Sequence, residues 1–443
     1  MSTYKRILAA GAAVVVGSGV GFSTAVFAQA TGSPQAPVTT IPTPATPAAA
    51  AAVPGDNFRR DATISVAQRP REGYEARGIR LGTFMAYPKV TLSAVSDDNI
   101  YATSTGQTQD TVWHATPGVS VNSDWIRHAF SAYAQTSINK YQDHSAEDTT
   151  DYGVGVGGKL DVTRDTFATG HVDYIRGTEP RTSPNSPASA LEPVRYDLWS
   201  VGVTGRHEFN RLLAAGRLES QRFDYASPSD ANGNRLDQSF RDRTNTTIGG
   251  RLDYAVSPAT ALFVDVQADK HEYKHTGTTS RDSSGTRVQG GVNFEITALV
   301  RGDIGVGYIR QSFDDSTQRD LKGFSANGSV EWFPTQLTTV TFNVARTIED
   351  SAVAGSAAYL STNVHARVEH ELLRNVILTG QVGYGKDEYT GIDREDRRKS
   401  AGVGVSYLIN RTLGLSASYD YSNQKGGSNF TDNRVSATLT VQY

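Results

Sequence analysis

The run with the most obvious chemistry is His271-Glu272-Tyr273-Lys274-His275, which spells the H-E-x-x-H of zinc proteases. Two imidazoles four residues apart share one metal only on a helix, where they lie on one face a turn apart. Here Leu262 to Ala268 alternate as a strand that continues toward a loop. Positions four apart in extended chain are about 13 Å from each other, too far to share a zinc whose bonds are about 2.0–2.1 Å. The run is read as a chance match, and no metal site is expected. Gly153-Val154-Gly155-Val156-Gly157-Gly158 fits G-x-G-x-x-G, yet the glycines alternate inside a strand instead of turning from strand to helix. Glycine there makes room or relieves curvature. Asn245-Thr246-Thr247 and Asn327-Gly328-Ser329 match glycosylation sequons but also fall in predicted strands. No serine elbow or clustered carboxylate pair stands out, so the expectation is a non-enzyme without a cofactor.

The elements that carry these residues are strands. The chain ends on Arg434 to Tyr443, where Val435, Ala437, Leu439, Val441 and Tyr443 share one face and Ser436, Thr438, Thr440 and Gln442 the other. The same two-sidedness recurs upstream. Val288, Val292, Phe294 and Ile296 oppose Arg287, Gln289, Asn293 and Glu295; Val364, Ala366 and Val368 oppose His365, Arg367 and Glu369. An apolar face toward lipid and a polar face toward water is the pattern of a transmembrane barrel, in which the sheet must close because hydrocarbon leaves no backbone amide solvated.

The turns set the count. Ser123-Asp124, Arg164-Asp165, Asn210-Arg211, Ser257-Pro258, Thr297-Ala298, Pro334-Thr335, Arg374-Asn375 and Asn410-Arg411 each separate two alternating runs. They recur about every forty residues, the length of two strands and one longer loop. Longer polar connections alternate with them: 143–151, 177–193, 227–240, 277–286 and 392–399. Short periplasmic turns and long extracellular loops predict an all-β, antiparallel up-and-down barrel of about eighteen strands, with sixteen as the second choice. Trp125, Phe209, Trp332, Phe333 and Tyr407 near the short turns, and Tyr101, Tyr141, Tyr273 and Tyr389 near the long loops, suggest two interfacial girdles.

Residues two apart on a strand point the same way, so Arg217 with Glu219, Arg251 with Asp253, Arg301 with Asp303 and Arg367 with Glu369 each place both signs on the polar face. With Arg287 and Glu295 they are the candidate lumen-lining residues, either constricting a pore or bracing its wall. Val435, Leu439, Val441 and Tyr443 are the candidate C-terminal insertion signal.

Composition agrees. The 443 residues include 42 Gly and 20 Tyr but only 2 Met and no Cys, which suits strands and turns and excludes disulfides and a cysteine-linked lipid. A net charge of -3, more negative once Lys5 and Arg6 are removed, argues against a nucleic-acid partner. Lys5-Arg6, an apolar run from Ile7 to Val20 and Ala28-Gln29-Ala30 mark 1–30 as a signal peptide. Residues 31–77 are expected to be a Pro/Ala-rich flexible periplasmic segment, and 78–443 the barrel. The charged stretch from Asp56 to Glu75 is open among a periplasmic extension, a plug and disorder.

The barrel opens with Gly78-Ile79-Arg80-Leu81-Gly82-Thr83-Phe84-Met85-Ala86-Tyr87-Pro88, followed by Val90-Thr91-Leu92 and Asp97-Asp98-Asn99-Ile100-Tyr101. This resembles the opening of the outer-membrane β-barrel porin 2 family, with its Gly-x-x-x-Gly-x-Phe run, its Pro and a strand ending in Asp-Asn-Ile-Tyr. The resemblance implies an outer-membrane barrel of Gram-negative bacteria, often associated with production and export of surface polysaccharide, and transfers no catalytic residues. The expectation is therefore a porin-like channel, extended by the resemblance to polysaccharide export. The alternative is an accessory barrel with a plugged lumen that binds envelope or polysaccharide-export components, and the third choice is a barrel enzyme. Expected partners are outer-membrane lipid with lipopolysaccharide and the barrel-insertion machinery.

Overall fold

The computed structural model describes residues 64–275 and 280–443. The signal peptide and the tether up to residue 63 lie outside the described residues, as does part of the 277–286 connection. A three-residue strand, β1 (Ile79–Leu81), leads into eighteen long ones. These are β2 (Phe84–Asp97), β3 (Asp110–Ser123), β4 (Ala129–Tyr141), β5 (Thr149–Asp161), β6 (Thr166–Thr178) and β7 (Arg195–Phe209). Next come β8 (Leu212–Tyr225), β9 (Arg243–Ser257), β10 (Thr260–Tyr273), β11 (Ser283–Ile296), β12 (Val300–Phe313) and β13 (Leu321–Thr335). The last six are β14 (Thr338–Asp350), β15 (Ala358–Leu373), β16 (Val376–Tyr389), β17 (Glu395–Leu408), β18 (Leu413–Lys425) and β19 (Phe430–Gln442).

Each strand pairs antiparallel with its sequence neighbour, and β19 pairs with β2 from Gln442↔Lys89 to Arg434↔Asp97, which closes the sheet. The result is a closed eighteen-strand barrel; the sixteen-strand option is set aside. Strands of 13 to 16 residues are about 45 Å long and, tilted by about 40°, clear an apolar band of about 25 Å with residues to spare at both rims. No helix among the described residues is long and apolar enough to cross a membrane.

Five of the eight expected short turns lie wholly between consecutive strands; Ser123 and Ser257 still end β3 and β9, and Pro334-Thr335 ends β13, whose turn is Gln336-Leu337. Asn210-Arg211 and Arg374-Asn375 are whole two-residue connections, and Asn210, Thr297 and Ala298 take the positive φ that tight hairpins demand. Four of the five expected long connections overrun into strands: β5 already starts at Thr149, β6 continues to Thr178, β11 starts at Ser283 and β17 at Glu395, whereas 227–240 lies wholly between β8 and β9.

Alternation sorts the wall as two-sidedness requires. Val90, Leu92, Val154, Val156, Val264, Val288, Val364 and Leu415 are exposed on the outside, while Asp253, Gln289, Ser325, Asp387 and Asp420 are buried within. The aromatic girdles need correction. Trp125, Phe209, Trp332 and Tyr407 are exposed near the short turns, but Phe333, Tyr273 and Tyr389 are buried. Tyr273 is two residues from the lumen-facing His271, so parity turns it inward, and the exposed aromatics toward the long loops include Trp113, Trp199, Tyr308, Phe324 and Tyr384 instead.

Candidate functional site

The functional candidate is the lumen, and its wall is built from ion pairs that cross strands. All ten sequence-selected charges lie on the inward-facing parity of β8, β9, β11, β12 and β15. Two of the expected pairs bond internally: Arg251 to Asp253 at 2.9 Å and Arg367 to Glu369 at 2.9 Å. The other two do not. Arg217 crosses to Asp265 at 2.7 Å, and Glu219 accepts from the Gln221 amide at 2.5 Å. Arg301 pairs with Glu331 on β13, the register sets it opposite Glu295 on β11, and Asp303 receives the Arg251 guanidinium at 2.6 Å. Arg287 donates to Gln267 at 2.7 Å and stands 3.8 Å from Asp265.

Such crossings need a gap in the middle. Arg217 on β8 and Asp265 on β10 are separated by β9, so their backbones are about 9.6 Å apart. The side chain between them is Gly249, where an added Cβ would sit 2.7 Å from the Arg217 guanidinium carbon. The same device joins the Tyr133 hydroxyl on β4 to Asp173 on β6 at 2.9 Å over Gly155 of β5. Gly155 belongs to the G-x-G-x-x-G run, which lies within β5 and not at a strand-to-helix turn, and it clears space for this polar bridge. The Arg251 guanidinium carbon also sits over the Phe263 ring, 3.6 Å from its centre.

The outer mouth is bridged by the tip of the β14–β15 hairpin. Pairing of β14 with β13 stops at Ala326↔Arg346, whereas β14 and β15 stay paired out to Asp350↔Ala358. The freed tip turns into the bore. Asp350 forms an ion pair with Arg243 on β9 at 2.9 Å and with His271 on β10 at 3.0 Å. Four strands stand between β9 and β14, five spacings or about 24 Å along the wall, so this contact is possible only across the interior. Asn185 of the β6–β7 loop accepts the Ala352 amide at 2.8 Å, and Arg281 donates to the Ala357 carbonyl. Phe313, Ala357 and Ala358 pack into a small apolar cluster with Leu321 and Ile348 that seats the tip. Beside it, Arg241 clasps Glu179 at 2.8 Å; burial works against its charge, and the carboxylate outweighs burial to raise its pKa.

The inner mouth is bridged by residues 64–77. Val66 is 0% exposed, and its amide donates to the Thr339 hydroxyl at 2.9 Å. Arg69 and Arg71 converge on Glu371 of β15 at 3.1 and 3.6 Å. Burial pulls the Arg71 guanidinium below its usual pKa, with Glu371 opposing. Gln68 accepts from Arg301 at 3.3 Å, and the Tyr74 carbonyl accepts from Gln442 at 3.4 Å. The segment thus runs from the β19–β2 seam to β12–β15. Of the three readings left open for Asp56 to Glu75, the described part packs as a plug.

Sequence reasoning missed Arg243, His271, Asp350, Glu371 and the two plug arginines. Strand parity alone would have placed His271 in the lumen, since it shares a face with Asp269 and Gln267. In the structure His271 serves Asp350 from the end of an extended strand, the geometry that argues against a zinc helix. Among the described residues the one carboxylate cluster close enough for a metal is Asp97, Asp98 and Asp432. It already embraces Arg434, at 2.9 Å from Asp97 and 2.8 Å from Asp432.

Closed wall, apolar exterior and charged interior define a transmembrane β-barrel of the porin class. Residues 71–443 match the family described as "Putative beta-barrel porin 2", and the chain belongs to that family. It is a porin-like outer-membrane β-barrel channel. Among solved structures it is similar to the outer membrane protein OpdK of Pseudomonas aeruginosa, with 10% identity over 81% of this chain and 99% of that one, TM-score 0.44. OccAB3 of Acinetobacter baumannii has 12% identity over 82% and 100%, TM-score 0.45. A BenF-like porin from Pseudomonas fluorescens Pf-5 has 12% identity over 82% and 100%, TM-score 0.45. No curated protein matches the chain.

Proposed function

We propose that the barrel is a non-enzymatic diffusion channel for small polar solutes, with a bore restricted at both ends. The observation that carries this is the pair of crossings: Asp350 reaching Arg243 and His271 at the outer end, and Arg69 with Arg71 reaching Glu371 at the inner end. A wall lined by both signs lets water and polar solutes enter without strong selection for ion sign. Two crossings limit what passes by size. Purified protein in planar bilayers should show discrete conductance steps with weak anion–cation preference; a sealed barrel would overturn the proposal.

The plug favours a second reading, an accessory barrel closed at rest, whose N-terminal segment engages an envelope partner. Components of polysaccharide export are the partners that the family resemblance implies. Capture of such a component by the wild-type chain, lost when residues 64–77 are deleted, would support this reading. Export of the polysaccharide through the bore draws support from no residue of the lumen, and its crossings favour smaller cargo.

The C-terminal strand presents Val435 and Tyr443 on the outside, with Leu439 and Val441 on the same face and the Tyr443 amide donating to the Pro88 carbonyl at 3.2 Å. An aromatic residue closing the last strand is what the barrel-insertion machinery would meet first. Deleting Tyr443 should lower the heat-modifiable, membrane-inserted fraction; an unchanged fraction would contradict this role.

A further inference from the structure

Turning the β14–β15 tip into the bore leaves a notch in the outer wall. Leu321 to Ser325 of β13 remain paired with β12 but have no partner on the side of β14. At the notch a groove of about 950 Å³ opens between the end of the β12–β13 hairpin and the β16–β17 loop. Tyr308, Arg310, Arg319, Asp320 and Lys322 line one side, and Thr390 and Asp393 the other.

The groove faces the membrane. On β12 the outward residues run Val306, Tyr308, Arg310 from hydrocarbon toward the outer rim, and on β13 Phe324 and Lys322 run the same way. Tyr308 and Phe324 are 51% and 56% exposed, so an apolar wall leads directly into a charged recess. Within the recess Arg310 and Asp320 satisfy each other at 2.8 Å, and the guanidinium holds Asp320 below the usual carboxylate range. The side chains of Arg319 and Lys322 have no hydrogen-bond or ion partner among the described residues, and neither does that of Asp393 across the groove. Two unengaged cations beside an unengaged carboxylate, at the level where lipid heads sit, call for a ligand with both phosphate and hydroxyl groups.

We propose that this groove holds the phosphorylated sugar head of an outer-leaflet glycolipid. The phosphate accepts hydrogen bonds from Arg319 and Lys322, a sugar hydroxyl donates to the Asp393 carboxylate, and the acyl chains lie along Val306 and Phe324. The occupant is a membrane lipid and not a soluble phosphate, because the groove continues into the exposed apolar wall. This assignment rests on the outer-membrane reading, yet its test is separate from conductance.

The test uses the full-length protein folded in detergent, with native mass spectrometry against bisphosphorylated lipid A. Wild-type protein should retain one lipid A. The double variant Arg319→Ala/Lys322→Ala should lose about tenfold or more in affinity, as two charge-assisted contacts require. Arg222→Ala/Lys274→Ala, at rim positions already paired with Asp224, should bind as wild type. Heat-modifiable mobility and conductance steps should be unchanged in both, so a failure here leaves the channel reading standing. Equal binding of dephosphorylated lipid A, undiminished binding by the Arg319/Lys322 variant, or full competition by a soluble phosphorylated disaccharide would overturn the assignment.

Discussion

The two ends of the bore solve one problem with opposite chemistry. At the outer end the bridging element carries the carboxylate, Asp350, and the wall supplies the cations, Arg243 and His271. At the inner end the bridge carries the cations, Arg69 and Arg71, and the wall supplies the carboxylate, Glu371. The supports differ as well. The outer bridge is the end of two barrel strands, paired to each other and to β16 out to Tyr359↔Tyr389, and seated on an apolar cluster. The inner bridge has no strand partner through residues 64–77 and is held by side chains and turns. An element anchored by the sheet resists removal, whereas one held by a few polar contacts opens at low cost. On the proposed channel function, the inner bridge is the movable one and the outer bridge the fixed size limit.

The comparison breaks most visibly if the inner bridge is deleted. A chain lacking residues 64–77 should insert normally and conduct several-fold more than wild type in planar bilayers. A smaller gain, with frequent brief openings, is expected from Glu371→Gln, which leaves Arg69 and Arg71 without their acceptor charge while the Val66–Thr339 contact persists. Asp350→Asn tests the other end. Breaking a buried pair from one side costs about 3–5 kcal/mol, and Arg243 with His271 would then face the tip without a counter-charge. The variant should conduct more than wild type and lose thermal stability together, whereas Glu371→Gln should change conductance with little loss of stability. The smallest effect is expected between the two ends: Gly249→Val pushes Arg217 off Asp265 and should cost about 1–3 kcal/mol by overpacking, read by thermal unfolding, with conductance near wild type.

How much of this the sequence shows depends on range. Strand pairing between sequence neighbours is local, so the alternation at Val288–Ile296 or Leu413–Tyr421 and the eight short turns suffice for the barrel and its strand count. The inward charges also follow from parity, and Arg217, Arg251, Arg287, Arg301 and Arg367 could be named in advance. Their partners could not. Arg217 chooses Asp265 over its neighbour Glu219 because strand tilt and Gly249 bring the more distant carboxylate into line, and neither is visible along a single strand. The inward turn of β14–β15 is more hidden still. Thr347-Ile348-Glu349-Asp350 alternates like any wall segment, and only the missing partner on β13 frees it. The plug is legible as charged and ambiguous; its arginines acquire meaning once Glu371 closes the inner rim.

The central claim is that one water-filled bore runs past two bridges in series. The direct test is single-channel conductance of four proteins in one bilayer system: wild type, the deletion of 64–77, Asp350→Asn, and the two changes combined. Restrictions in series predict that the combined variant gains more conductance than the two single gains added together. Gains that merely add, or a combined variant that stays electrically silent, would contradict the account.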